Sequence, residues 1–286
     1  MVDFKKELQE LIDIILKEGA SDLHISAFRK PSIRVSGELI PLVSREVLSP
    51  EDAAGLVYEL MGESNKKIFL EKKDIDFAYA GPNSLRFRAN AFFQRGFVGC
   101  ALRAIQTKIK TIEELALPSI LKDFTHKKQG FFLVVGPVGQ GKSTTLASMI
   151  ELINHERAEH ILTIEDPIEY IFTGDRSIID QREVRFDTET FQTALRYMFR
   201  EDINVAMIGE MRTAETISAA VTAAETGHLI FSTLHTNNAA QTIDRIIDSF
   251  PAAQQNQIRA QLAGSLLGVF SQRLIPRVSG GLVPAY

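Results

Sequence analysis

The stretch Gly136-Pro137-Val138-Gly139-Gln140-Gly141-Lys142-Ser143 sets three glycines, a lysine and a hydroxyl at the spacing that cradles phosphate. Glycine lets the backbone curl so that successive N–H groups turn inward, and a following helix adds partial positive charge at its first turn. Lys142 can then reach the β- and γ-phosphates of a nucleotide as a point charge, while the Ser143 hydroxyl can ligate Mg²⁺. The flanks fit. Phe131-Phe132-Leu133-Val134-Val135 reads as a buried strand, and the residues from Thr144 onward read as a helix. An ordinary glycine-rich turn is the bland alternative, and both flanks argue against it.

Three later stretches add acid and base. Ile164-Glu165-Asp166-Pro167-Ile168-Glu169 ends a strand, and in open α/β sheets ligands sit beyond the carboxyl ends of strands. Glu165 there can reach Mg²⁺, directly or through water; a helix-starting acidic loop is the competing reading. In Val205-Ala206-Met207-Ile208-Gly209-Glu210-Met211-Arg212, four apolar residues run into an acid in the manner of a Walker B strand. Gly209 stands where many such proteins carry aspartate. Glu210 is the leading candidate for polarising the attacking water, for which orientation matters more than a shifted pKa. Gly227 to Thr236 places His228 and His235 on either side of a buried strand. Their spacing is poor for zinc and no cysteine accompanies them, which sets a metal site aside. His235 follows the strand's carboxyl end and can sense the γ-phosphate. His228 lies at the opposite edge, where a structural hydrogen bond is the better reading.

Positioning such residues takes alternating strands and helices. The strands expected are 131–135, His160 to Ile164, Val205 to Ile208 and Leu229 to Thr233. Phe191, Ala194, Leu195, Met198 and Phe199 form a helical stripe, and Ala214 to Ala224 is helical in character. Two more helices flank Pro251, the second running to about Phe270. This is the grammar of a mostly parallel, helix-covered sheet spanning residues 129–286. Ahead of it, 108–128 reads as a polar connector with a short helix near Ile112-Glu113-Glu114.

Residues 1 to about 107 read differently. Phe4, Leu8, Leu11, Ile12 and Ile15 recur at helical spacing before Gly19, and Ser49-Pro50-Glu51-Asp52 starts a second helix. Short strands at Asp22 to Ile25, Ile33 to Val35, Glu38 to Ile40, Leu85 to Phe93 and Phe97 to Ala104 suggest a small α+β domain on an antiparallel sheet. A Ser36-Gly37 turn joins the second and third of these. Alternation puts Phe87, Ala89, Ala91 and Phe93 on one face, with Arg86, Arg88 and Asn90 on the other. Arg103 shares that polar side. Taken alone, such a row is more often a solvated outer face than a site.

Composition narrows the partners. A net charge of −4 gives no support to nucleic acid, and no apolar run approaches a membrane span. The first residues lack a signal peptide's apolar segment, so a cytosolic chain is expected. The single cysteine, Cys100, excludes an internal disulfide and reads as a small buried side chain.

Together these motifs resemble the secretion ATPase superfamily that drives type II secretion and type IV pili. Within it they look most like the type IV pilus retraction (twitching motility, PilT-like) ATPases. The likeness takes in Ala20-Ser21-Asp22-Leu23-His24, Arg86-Phe87-Arg88-Ala89-Asn90-Ala91-Phe92, the phosphate loop, an "Asp box" from Ile161 to Glu169 and Gln181-Arg182-Glu183-Val184. It continues through the Walker B segment and a "His box" from Gly227 to Thr236. The resemblance implies an N-terminal PAS-like domain joined to a RecA-like P-loop ATPase core. It also implies assembly as a homo-hexamer and docking on an inner-membrane platform protein at the pilus base. Small-domain arginines then reach the phosphates, with Arg88 and Arg103 the choices and Arg95 left open. Such an arginine contributes ~10³–10⁵ in rate in other P-loop enzymes.

Two departures stand close to the expected site. Asp202-Ile203-Asn204 replaces the family's usual Asp-Pro-Asp, and Thr213 replaces the aspartate that commonly follows Gly-Glu-Met-Arg. Retraction members also continue into a further helical region, so the resemblance reads this chain as a fragment. Extension and type II secretion relatives usually carry paired cysteines after the His box, and Gln272 to Gly281 has none. The resemblance therefore favours retraction over extension or secretion, while the changes around the Walker B segment and the absent helical region keep a ring component with weak hydrolysis as the alternative.

Overall fold

The computed structural model describes residues 3–35, 37–81, 86–105, 108–278 and 280–286. The chain divides into two compact units, Met1–Gln106 and Thr107–Tyr286.

In the first unit α1 (Phe4–Glu18) starts at Asp3, whose side chain accepts the Lys6 N–H, and stops at Gly19 in the left-handed region. Its stripe Leu8, Leu11, Ile12 and Ile15 is buried. After β1 (Asp22–Ser26), β2 (Ser32–Val35) and β3 (Glu38–Pro41) comes α2 (Pro50–Lys72), capped by Ser49 and broken at Gly62. Then follow β4 (Asp74–Ala80), β5 (Arg86–Gln94) and β6 (Phe97–Ala104). The six strands form one antiparallel sheet in the order β3-β2-β1-β6-β5-β4. The two helices bury the face carrying Phe87, Ala89, Ala91, Val98, Cys100 and Leu102. Arg88 stands opposite Arg103 in register on the other face. Strand β4 is an addition to the expected set. Its outward Asp74 and Asp76, both near Asn90, disguise the inward Ile75, Phe77 and Tyr79. Leu85, expected to begin β5, and Ser36 of the expected turn lie outside the described residues.

In the second unit α3 (Ile120–Thr125) precedes β7 (Gly130–Val135), α4 (Lys142–Glu156), β8 (His160–Glu165) and β9 (Ile178–Glu183). Then come α5 (Phe191–Met198), β10 (Val205–Ile208), α6 (Ala214–Glu225), β11 (Leu229–Leu234), α7 (Ala239–Asp248) and α8 (Ala252–Ser265). Strand β12 (Leu266–Ser271) and the hairpin β13 (Arg273–Pro276) to β14 (Leu282–Ala285) complete it. Six strands run parallel in the order β12-β7-β11-β10-β8-β9. Both faces are covered. Phe131, Leu133 and Val135 join the core with α5, α6 and α8, while Phe132 and Val134 join the core with α3 and α4. That two-sided burial is why the parallel strands read as unbroken apolar runs.

Three expectations are corrected. The last helix ends at Ser265, and Leu266–Ser271 is a strand beside β7. A short apolar run has no periodicity to separate the two, and Gly268 brings the backbone against the Phe132 and Phe124 rings. The connector's helix is Ile120–Thr125, and Thr111 and Glu114 instead cap a single turn in which the Leu117 N–H closes onto the Ile112 carbonyl. Strand β9 is an addition, a sheet edge whose polar side chains Asp180, Gln181 and Arg182 hide it. Among the described residues no helix is long and apolar enough to cross a membrane.

Candidate nucleotide site

The site lies at the carboxyl edge of the parallel sheet. Strand β7 ends at Val135, and the chain turns through Gly136, Gly139 and Gly141 with φ of 150°, 76° and 76°. Side chains other than glycine rarely adopt these values, so the loop's shape depends on them. The loop closes on α4, whose first turn carries no acidic side chain. Its free N–H groups thus keep their attraction for an anion.

Lys142 is buried and folds back over the loop. Its Nζ donates to the carbonyls of Gly136 at 2.9 Å and Pro137 at 2.8 Å. Burial holds its pKa below the usual lysine value, against the opposing pull of Glu169 and Glu210. A third contact runs from Nζ to His235 Nδ1 at 3.2 Å. Lysine only donates, so Nδ1 accepts and the ring proton sits on Nε2. That nitrogen lies 3.5 Å from Glu210, whose other oxygen is 2.5 Å from Arg212. Lysine, histidine, glutamate and arginine therefore form one chain of contacts.

Glu165 ends β8 and is almost wholly buried. Burial pushes its carboxyl up to about 7, although the Thr163 hydroxyl, the Glu169 N–H and Gln181 all donate to it. Glu210 is fixed from the neighbouring strand. Ser232 and Thr233 on β11 donate to the Ile208 and Gly209 carbonyls at 2.7 and 2.6 Å, locking the end of β10. At Gly209 the chain passes close to β8: an added Cβ would sit 3.4 Å from the Glu165 backbone, an ordinary contact.

One cavity of about 570 Å³ is lined by Val138 to Thr144, Glu165, Glu210 and His235. It gathers every expected core residue except Gly136 and Pro137, which hold Lys142 through their carbonyls. Asp166, Glu169, Arg212 and Leu274 also line it, residues that spacing alone did not single out. A smaller cavity of about 260 Å³ meets the loop at Gly141, Thr144 and Thr145, with Lys110, Leu274 and Arg277 among its walls. Ser143 lines the larger cavity, and its hydroxyl takes no hydrogen bond among the described residues. Nor do three or more His, Cys, Asp and Glu side chains gather there to hold a metal. One hydroxyl and one carboxylate suit a magnesium ion that arrives with phosphates and keeps most of its waters.

His228 has the structural role expected of it, with Nδ1 3.0 Å from the Ala223 carbonyl and its ring edge-on to Phe199. The two departures are also satisfied locally. Thr213 caps α6 by accepting the Thr216 N–H, and the Asn204 side-chain oxygen accepts the His160 N–H. An aspartate makes the same kinds of bond, so neither change leaves a hole. On the N-terminal sheet Arg103 pairs with Asp22 at 2.8 Å, and Asp22 also lies 4.0 Å from Arg34. Burial raises the Asp22 carboxyl, but hydrogen bonds from Ser21 and Arg103 outweigh it and hold the pKa low. Arg88 has no ion-pair partner among the described residues.

Known proteins agree with this geometry. The family described as "Type II/IV secretion system protein" matches residues 3–280. The chain is 44% identical to the type IV pilus retraction ATPase PilT of Pseudomonas aeruginosa over 98% of its own length and 81% of that protein. It is 43% identical to the type IV pilus ATPase PilU of the same organism, covering 96% of this chain and 72% of PilU. Among solved structures, the pilus retraction motor PilT with bound ADP superposes with a TM-score of 0.93 at 47% identity, covering 97% of this chain and 81% of that one. Sequence, fold and site thus agree, and the chain belongs to the type II/IV secretion system protein family of ATPases.

Proposed function

We propose that this chain is the subunit of a homo-hexameric, ATP-hydrolysing motor that powers type IV pilus retraction from the cytoplasmic face of the membrane. The observation that carries this reading is the single cavity lined by Lys142, Ser143, Glu165, Glu210 and His235. Its support is the 44% identity to a pilus retraction ATPase along nearly the whole chain.

In this reading the 136–144 loop and Lys142 hold the phosphates. Ser143, and Glu165 directly or through water, would hold a magnesium ion, which would supply positive charge against the phosphates. Glu210 orients the attacking water, held at its angle by Arg212 and His235. Because His235 touches both Lys142 and Glu210, a shift of the lysine toward phosphate is transmitted to the carboxylate that acts on water. Arg88 and Arg103 are the candidates to complete the charge around the phosphates. The inner-membrane platform protein at the pilus base receives the motion.

Phosphate release from purified chain tests the chemistry. Glu210→Gln is expected to slow it about 10²–10³-fold, comparable to loss of one oriented catalytic group, without shifting the melting temperature. Wild-type release no faster than the variant overturns the motor reading. In cells, deleting the gene leaves pili without twitching; loss of pili altogether identifies an extension motor instead.

A further inference from the structure

The loop is clamped from behind by a residue that belongs to no nucleotide-binding motif. Gln272, between β12 and β13, is only 2% exposed. Its Nε2 donates to the Gln140 carbonyl at 2.7 Å, and its Oε1 accepts from the Thr145 hydroxyl at 2.7 Å. One carboxamide thus joins the last turn of the loop to the first turn of α4. The backbone reinforces it. The Leu274 N–H donates to Gln140 Oε1 at 2.7 Å, and the Gln272 N–H donates to the Val135 carbonyl at 2.8 Å. A Cβ on Gly136 would sit 2.2 Å from the Gln272 carbonyl, so glycine at 136 is also what lets this strand come so close.

The clamp has a directional consequence. A trans peptide is planar, with its C=O and N–H pointing to opposite sides. Holding the Gln140 carbonyl against Gln272 turns the Gly141 N–H away from Gln272. That N–H has no partner among the described residues, and Gly141 lines the larger cavity. It is therefore a donor aimed for an incoming anion rather than one spent inside the fold. Freed from the clamp, the 140–141 peptide can rotate, and a rotated carbonyl would face phosphate with the wrong sign. The same strand ends also hold the loop after His235. Ser271 Oγ donates to the Asn237 carbonyl at 3.0 Å, and Arg273 reaches the Asn237 side chain at 3.3 Å.

The geometry points to Gln272 as a positioning residue for nucleotide. Through Gln140 and Thr145 it sets the peptide orientation by which the loop grips the phosphates. The inference rests on the nucleotide-site reading and adds a residue to it. Gln272 does not line the larger cavity, and both polar atoms of its side chain are spent inside the fold. Its effect falls on phosphate grip more than on the chemical step.

Equilibrium binding of a fluorescent ADP analogue to the purified chain tests this, since it needs no hydrolysis. Gln272→Met keeps the side chain's length and removes both hydrogen bonds; it is expected to weaken ADP about tenfold. Steady-state phosphate release is expected to show the same rise in KM for ATP, with kcat within about threefold of wild type. Thr145→Val breaks one of the two bonds and weakens ADP severalfold. Thr145→Ser keeps the hydroxyl and binds like wild type. The double variant Q272M/T145V is expected to be no weaker than Q272M, because both act through one clamp. Should Q272M fail to fold, the contrast between T145V and T145S carries the test. Wild-type ADP affinity in folded Q272M or T145V overturns the inference and leaves the nucleotide site standing, as does a fall in kcat at unchanged KM. Wild-type chain that binds no ADP overturns both.

Discussion

The two units each contain a six-stranded sheet, and they use it in opposite ways. The N-terminal sheet is antiparallel and buries one face, so its charged side chains share a surface. Arg86, Arg88 and Arg103 sit along it because every second residue must point away from the core. The C-terminal sheet is parallel and buried on both faces, which leaves no surface for chemistry. Its polar residues gather where strands end, at Lys142, Glu165, Glu210 and His235. Strand direction thus decides whether a sheet offers a face or an edge.

Adjacent substitutions test that contrast most severely. On β5, Phe87→Ala is expected to cost about 3–5 kcal/mol by opening a core cavity, while Arg88→Ala, next to it, stays within about 0.5 kcal/mol. On β7 the alternation should vanish. Phe132→Ala and Leu133→Ala, neighbours pointing to opposite faces, are each expected to cost roughly 2–5 kcal/mol. Urea unfolding of the four variants provides the measurement. A cheap substitution at either β7 position would show that one face of the parallel sheet is not a true core.

What the sequence revealed follows the same division. Strands β7, β10 and β11 were legible because two-sided burial makes them unbroken apolar runs, and the motif residues follow directly at their ends. Strands β4 and β9 were not, because an exposed edge or face fills them with Asp74, Asp76, Asp180 and Arg182. β12 failed for the opposite reason, being too short and apolar to tell from the end of a helix. Within the site, Glu165, Glu210 and His235 could be named from local context. Gln272 could not: its partner Gln140 lies 132 residues away, and only the parallel pairing of β12 with β7 brings them together.

The parallel edge concentrates polar groups in a buried place, and Glu165 bears the consequence. Its carboxyl is raised from 4.5 to about 7, chiefly by burial. Between those values the folded chain holds a proton that the unfolded chain has released. Stability without nucleotide therefore falls as pH rises through that window, by about 3 kcal/mol in all, and is level above it. Glu165→Gln is expected to remove this slope, so the variant's advantage grows from pH 4.5 to pH 7. Denaturant midpoints of both chains at several pH values measure it. Parallel profiles would mean the carboxylate is as well solvated at this edge as on the open N-terminal face.

The smallest effect concerns the helices that follow those strand ends. Thr213 occupies the loop just after Glu210 and Arg212, where a departure in sequence invites a functional explanation. The structure gives it a local task, since its hydroxyl accepts the Thr216 N–H and starts α6. Thr213→Ala removes that acceptor and is expected to cost about 1 kcal/mol; Thr213→Asp keeps it and stays within about 0.5 kcal/mol. Thermal melts rank the three chains, and phosphate release from the same samples separates cap from catalysis. If the exposed Thr213 matters only as a cap, T213D releases phosphate at the wild-type rate. A T213D chain that melts like wild type but hydrolyses tenfold differently would instead make position 213 part of the site. The sheet's chemically active edge would then extend one loop beyond Arg212, onto the cap of α6.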